Sequence, residues 1–418
     1  MRIAFFVDRF PCLSETFILN QITGLIDRGH QVDIYCDRSG NIEQMHPEVE
    51  KYRLLQCTYN SRVPINNILH YLKGICLFLF NFPQAPFTLI NSVKARSKKS
   101  VYGDIAIGLK PLYLTLPLLK QPSYDLIHCH YGRNGLKAIL LKDLGIIDGK
   151  IVTAFHGYDI SFYLKMYGED VYNYLFQRGD LFQPISHLWA KKLIALGCNL
   201  DKIVVHHMGI DSNKFTLTPI KDTNPESINL VSIARLVEKK GLCYGIDAVA
   251  RLLNKCPQLK LQYYIIGDGV LRTALQQQID RLKLTKQVKL LGWKTQQQVQ
   301  TIIDQADIVI APSITSSTGD CEGIPISLME TMAQAIPVIS TYHSGIPELV
   351  EDGVTGYLVP EKDVPALTDK LEQLINNPSL RRKMGLAGRT KVLNDYNIEL
   401  LCDRLVEIYR HLINHADI

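Results

Sequence analysis

Eleven short apolar runs, most of them followed by a stretch with helical spacing, constrain this chain more than any other feature. In the first half they are Ile3–Val7, Gln31–Cys36, Asp125–Cys129, Ile151–Phe155, Leu181–Ile185 and Ile203–His206. In the second they are Ile228–Ala234, Leu261–Ile266, Val288–Leu291, Ile308–Ala311 and Pro337–Ser340. A strand that is apolar throughout needs cover on both faces, as in a parallel sheet with crossover helices on either side. The first unit is punctuated in the same sense: Pro11 breaks the chain, Ser14 can cap a helix Glu15–Arg28, and Gly29 ends it. Such alternation predicts right-handed, doubly wound α/β layers.

The pattern restarts after residue 210, and 418 residues exceed what one domain usually holds. The polar, proline-containing stretch Thr216–Asn229 reads as the linker. The expected division is an N-terminal Rossmann-like domain over 1–212, a second over 213–395, and a C-terminal helix over 396–418 returning to the first. Strand C-termini of both sheets would face a common cleft, since ligands of open α/β sheets bind at that edge.

Composition removes several classes. With 46% hydrophobic and 21% charged residues the chain is neither disordered nor fibrous. A net charge of +5 over this length is too dilute for a nucleic-acid binder. Ten cysteines show no CxxC spacing, which argues against a zinc ribbon and suits a reducing, cytoplasmic compartment. The apolar run after Met1-Arg2 is too short for a signal peptide. Ile68–Phe82 is strongly apolar but interrupted by Lys73 and Asn81, and Lys94, Arg96, Lys98 and Lys99 follow. It reads as helices packed on the N-terminal sheet, or as an amphipathic, basic surface (residues 68–99) resting on anionic lipid.

The most informative stretch is Gly319-Asp-Cys-Glu322-Gly323-Ile324-Pro325-Ile-Ser-Leu-Met-Glu330. Pro325 suits the first turn of a helix. That places Glu322 in the loop before it and Glu330 about a turn and a half inside. The amides of Gly323 and Ile324, with the positive end of the helix dipole, make an anion site. Two carboxylates beside an anion make sense if each accepts hydrogen bonds from hydroxyls of a sugar attached to it. Arg235 ends a strand, and Lys240, or its neighbour Lys239, opens the next helix, as needed to neutralise a diphosphate. Gly267-Asp268-Gly269 is a tight turn at another strand end, without the third glycine of a dinucleotide fingerprint. His156 follows an apolar strand and should point into the cleft, and His128 and His130 share a strand end without an evident third metal ligand.

These motifs, in this order, resemble the retaining GT-B glycosyltransferases of family 4. The likeness rests on Glu322…Glu330 within Glu-Gly-Ile-Pro-x-x-Leu-x-Glu-x-Met-Ala, on Arg235 and Lys240, on Gly267-Asp-Gly, on His156-Gly-Tyr-Asp159 and on Met208-Gly-Ile-Asp211. Ser14-Glu15-Thr16-Phe and the Gly319-Asp-x-Glu-Gly-Ile-Pro loop look closest to the subgroup that builds exopolysaccharides such as colanic acid. The resemblance implies the GT-B fold, two Rossmann-like domains across a cleft. It implies that Glu330 binds the ribose, and that Glu322 with Gly323 and Ile324 holds the transferred sugar beside Pro325. Arg235 and Lys240 would stabilise the leaving diphosphate in place of a metal ion, so neither metal nor cofactor is expected. His156 would contact the donor sugar, and Ser14, Glu15 and His130 the acceptor. Where many members carry a Gly-Gly pair, this chain has Pro11-Cys-Leu-Ser14.

The expected activity is transfer of a sugar from a UDP- or GDP-sugar to a saccharide or lipid-linked acceptor, in the cytoplasm or peripherally on the inner membrane face. The alternatives are a sugar-nucleotide epimerase or hydrolase on the same fold, and an inactive binding scaffold.

Overall fold

A computed structural model describes residues 1–43, 45–64, 66–217 and 227–414. Most of the stretch read as a linker, residues 218–226, lies outside the described residues. The chain forms two compact units: Met1–Ile185 with Trp189–His206 and the chain from Cys402, and Ser186–Leu188 with His207–Leu401.

The first unit is built on β1 (Arg2–Phe10), β2 (Gln31–Ser39), β3 (Thr58–Asn60), β4 (Leu126–His130), β5 (Lys150–Phe155) and β6 (Leu181–Pro184). They form one parallel sheet ordered β3-β2-β1-β4-β5-β6. The second unit has β7 (Ser227–Ile233), β8 (Lys260–Ile266), β9 (Val288–Gly292), β10 (Ile308–Ala311), β11 (Val338–Thr341) and β12 (Gly356–Val359). Its sheet, ordered β12-β11-β10-β7-β8-β9, repeats the same topology. In both, the strand order reverses beside the first strand, between β1 and β4 and between β7 and β10. Ligands of doubly wound sheets sit at that reversal, beyond the strand C-termini.

Strands β1, β4, β5, β7 and β10 are buried on both faces over most of their length, which is why they read as unbroken apolar runs. In the second unit one core face gathers Leu230, Ile246, Tyr263, Ile310 and Leu371, and the other Val231, Ile266, Met329, Met332 and Val338. The last helix, Ile398–Asn414, enters the first unit at Cys402; there Asp403 pairs with Arg28 at 2.7 Å and the Tyr409 hydroxyl meets Nδ1 of buried His128 at 2.5 Å.

Several expectations need correction. Ile203–His206 is not a strand: it makes one bridge, Phe182 to Ile203, with Val204 donating to the Phe182 carbonyl. The next rung of that ladder needs an N–H from Pro184, which has none. The sixth strand of the first sheet is instead β3, and β12 completes the second; both are short and were not legible as apolar runs. The first helix is Thr16–Asp27, with Glu15 rather than Ser14 at its cap and no side-chain capping bond. Exposed Ser14 lies in the preceding turn, where its hydroxyl meets the Cys12 thiol at 3.4 Å. Pro325 precedes the helix Ile326–Ala333 in extended conformation instead of occupying its first turn. The segment around Ile68 forms the helix Asn67–Asn81, and among the described residues no helix is long and apolar enough to cross a membrane.

Candidate active site

In the second unit the site forms where β7, β10, β11 and β12 end. After β7, Arg235 is exposed, and its guanidinium has no partner among the described residues. The chain then turns through Glu238–Lys240 to Gly241, which holds φ +59° at the start of the helix Leu242–Lys255. A Cβ at Gly241 would stand 1.9 Å from the Pro312 carbonyl oxygen, so only glycine lets this turn press against the end of β10. That approach, fixed by Ile314 N–H donating to the Lys239 carbonyl at 2.9 Å, delivers both lysines to the loop before the helix Ile326–Ala333.

Lys240 Nζ reaches Glu322 Oε2 at 2.8 Å; Lys239 Nζ lies 3.7 Å from Glu322 Oε1 and 3.1 Å from Asp320. Neither lysine is merely solvated. Burial works to raise the Glu322 carboxyl, but Lys240 and then Lys239 outweigh it and hold it below the ordinary carboxylate range. The backbone of Glu322 is pinned from the next strand end: its N–H donates to His343 Nε2 at 3.0 Å and its carbonyl accepts from Ser344 Oγ at 2.5 Å. Since Nε2 accepts, the ring proton of His343 sits on Nδ1 and donates to Glu361 Oε1 at 2.5 Å. Glu361 in turn accepts from Thr315 N–H at 2.9 Å. His343, Ser344 and Glu361 escaped the sequence reading, although they follow β11 and β12 as Arg235 follows β7.

Glu330 behaves in the opposite way. Its carboxylate has no hydrogen-bond partner among the described residues, and burial alone lifts it to about 7. The amides of Gly323 and Ile324 likewise donate to nothing among the described residues. At the end of β8, Gly267 holds φ +130°, where a Cβ would lie 2.0 Å from the Ala234 carbonyl. The Asp268 carboxylate accepts from its neighbour Gly269 N–H at 2.8 Å and lies 3.8 Å from the Arg272 guanidinium.

In the first unit, β1, β4 and β5 end on a cluster of rings. His130 is fully buried, its Nδ1 2.9 Å from Nε2 of half-buried His156, and the rings stack. Burial drives His156 down to about 3 and His130 well below its ordinary value, so both are neutral at physiological pH. Nδ1 of His156 and Nε2 of His130 have no partner among the described residues. Any contribution of His130 to binding therefore passes through His156. His128 is turned to Tyr409 instead, and the pair forms no metal cluster among the described residues. Asp159, buried, accepts from the amides of His156 and Gly157 at 3.0 Å and of Gly132 at 3.1 Å, bracing the turn; burial raises it to about 6 in spite of these bonds. Half-buried Glu15 accepts from the Tyr131 hydroxyl at 2.9 Å, and burial raises its carboxyl.

The arrangement is a set of fixed cations, free amides and two acids of opposite disposition, suited to a diphosphate that carries sugar hydroxyls on either side. Comparison with known proteins places the chain in a family. Residues 14–214 match the family model "Glycosyltransferase Family 4" and residues 214–391 match "Glycosyl transferases group 1". The amylovoran biosynthesis glycosyltransferase AmsK of Erwinia amylovora is 38% identical over 99% of this chain and 100% of its own. WcaL of Salmonella typhimurium, whose name ascribes it to colanic acid biosynthesis, is 37% identical over 98% of this chain and 99% of its own. Among solved structures, HepE of Anabaena in complex with UDP superposes with a TM-score of 0.70 at 18% identity, covering 98% of this chain and 100% of that one. The fold is that of the GT-B glycosyltransferases, and the chain belongs to glycosyltransferase family 4.

Proposed function

We propose that this glycosyltransferase moves a sugar, with retention, from a UDP- or GDP-sugar to a saccharide or lipid-linked saccharide in exopolysaccharide synthesis, working peripherally on the inner membrane face. The observation that carries this reading is the contrast between Glu322, charged and paired with two lysines, and Glu330, whose carboxyl has no partner among the described residues and is lifted to about 7. A nucleoside diphosphate bearing a sugar would answer both: its phosphates draw Lys239, Lys240 and Arg235, and its ribose hydroxyls donate to Glu330. Glu322, released in part from its lysines, then accepts from hydroxyls of the transferred sugar. The names of AmsK and WcaL support an exopolysaccharide pathway, and UDP in HepE supports a nucleotide donor.

The three cations would stabilise the leaving diphosphate, so no divalent ion is required. The acceptor hydroxyl attacks the anomeric carbon on the face the diphosphate leaves, the C–O bond to phosphate breaks, and the acceptor proton passes to a departing phosphate oxygen. Glu322, engaged by hydroxyls of the transferred sugar, is ill suited as a covalent nucleophile; a trapped glycosyl-enzyme adduct would refute the same-face route. Neutral His156 can present a hydrogen bond to the donor sugar without adding charge near the reacting carbon.

Incubation with a panel of UDP- and GDP-sugars, with and without membrane extract, tests the assignment. Nucleotide release that depends on acceptor is expected. Turnover without acceptor would instead mark a hydrolase or epimerase, and saturable binding without turnover a scaffold.

A further inference from the structure

The helix Asn67–Asn81 carries its polarity the wrong way round for a surface helix. Its inward side is tied by His70, whose Nε2 accepts Leu109 N–H at 3.0 Å and whose carbonyl accepts the Tyr113 hydroxyl at 2.7 Å. Gly74 completes the contact, since a Cβ there would lie 2.5 Å from Leu109 Cδ1. The outward side is apolar. Ile68, Leu72, Ile75 and Leu79, spaced i, i+4, i+7, i+11, fall on one stripe and are 53–72% exposed; Phe80 beside them is 77% exposed. Soluble helices place such a stripe against the core. At 15 residues the helix is about 22 Å long, too short to bury the stripe by spanning a bilayer, which takes about 20 residues.

Charge around the helix is equally one-sided. From Lys51 to Gly103 there are 53 residues without a single Asp or Glu, and eight Lys or Arg, in a chain that has 41 acids in all. Lys94, Arg96, Lys98 and Lys99 are exposed, and none has an ion pair among the described residues. Phe87, 82% exposed, shares a face of the helix Pro86–Lys94 with Lys94 by i, i+7 spacing.

We propose that this arm docks on an anionic lipid bilayer, with the helix Asn67–Asn81 flat in the interface, its stripe toward the acyl chains and the surrounding cations against headgroup phosphates. A second copy of the chain is a poorer occupant, because a two-fold contact would set the same acid-free surface against itself. Apolar stripe and cations together are what a charged membrane surface accommodates. The proposal stands on this surface alone and is independent of the donor assignment.

Flotation of the full chain with vesicles tests it, using phosphatidylcholine alone and phosphatidylcholine with 30% phosphatidylglycerol (about one anionic lipid in three, a strongly charged surface). Two variants accompany wild type: Leu72→Ser/Ile75→Ser/Leu79→Ser, and Lys94→Gln/Arg96→Gln/Lys98→Gln/Lys99→Gln. Circular dichroism and light scattering serve as controls of fold and oligomeric state. The wild type should float with anionic vesicles and release as salt rises. Each basic residue near the surface is worth roughly fivefold in partitioning, so the basic variant should lose at least about tenfold. The apolar variant should lose binding to a similar degree with its fold intact. Failure of the folded wild type to float with anionic vesicles at low salt overturns the proposal. So does flotation that neither variant alters, or a dimer in solution that the Ser substitutions dissolve, which would assign the stripe to a second copy.

Discussion

Glu330→Gln should make the protein more stable while weakening its hold on donor. The carboxyl lies at about 7 against an ordinary 4.5, and the cause is burial with no donor to offset it. A carboxyl raised on folding costs nothing below its unfolded value; the cost grows as pH rises from about 4.5 and is complete above about 7. At about 1.36 kcal/mol per pH unit the full cost is on the order of 3 kcal/mol, and residual solvent contact brings the expected value to about 1–2 kcal/mol. Glutamine fills the same space without the charge. Thermal unfolding of the two proteins at pH 5.0 and pH 8.0 should therefore agree at the lower pH, while the variant melts about 2–6 °C higher at the upper one. Nucleotide titration at pH 8.0 should move the other way. Glutamine keeps one acceptor oxygen, so one hydrogen bond to a charged acceptor is lost, worth about 1.5–3 kcal/mol, and affinity should fall by roughly 10- to 150-fold. Wild-type affinity should also fall below pH 7, because a protonated Glu330 accepts poorly. If the variant gains nothing at pH 8.0 over pH 5.0, the carboxyl is not a buried, waiting charge, and the ribose assignment goes with it.

Lys240→Met leaves Glu322 with only Lys239 at 3.7 Å, a partly orphaned buried carboxylate; stability should drop by about 2–4 kcal/mol by denaturant titration, and kcat/KM should fall. His343→Leu removes the acceptor of the Glu322 amide at a cost of about 1–3 kcal/mol, and His343→Gln, which keeps an acceptor, should recover part of the turnover. Gly241→Ala adds strain at φ +59° to a clash with the Pro312 carbonyl and should cost more than about 2 kcal/mol, read as a lower thermal midpoint with both lysines unchanged in sequence.

The parts of this molecule that were legible in sequence are those whose physics is local. β1, β4, β5, β7 and β10 are covered on both faces, so burial writes itself into consecutive residues. Glu322 and Glu330 stood out because a glycine, a proline and a helix start between them define an anion site within one segment. β3 and β12, three and four residues long at sheet edges, leave no comparable trace. Ile203–His206 failed for a reason held by its neighbour, since Pro184 lacks the N–H that a second rung needs. His343 and Glu361 were hidden because what they hold, the backbone of Glu322, is 21 residues away from His343 in the chain. Ser14 misled because a good capping residue was placed in a turn that ends one residue later.

The spacing of the two acids also explains why one segment can serve opposite needs. Glu322 lies in the loop, within reach of lysines delivered by another strand end, and its charge is stable before any ligand arrives. Glu330 lies inside the helix Ile326–Ala333, beyond reach of those cations, and burial keeps its charge unfavourable until hydroxyl donors come. The site is thus charge-balanced at one acid, while the carboxyl of the other has no donor among the described residues. A diphosphate alone competes for the lysines, and against that it must set Glu322 loose; a free nucleoside answers only Glu330. A nucleotide bearing a sugar answers both, because its carbohydrate hydroxyls take over Glu322 as the phosphates draw the lysines away. Discrimination between donor and spent nucleotide would then rest on Glu322, and Glu322→Gln, which no longer holds the lysines, should bring the affinities for nucleotide-sugar and bare nucleoside diphosphate closer together in parallel titrations. Equal selectivity in wild type and variant would show that the lysine pair plays no part in that choice.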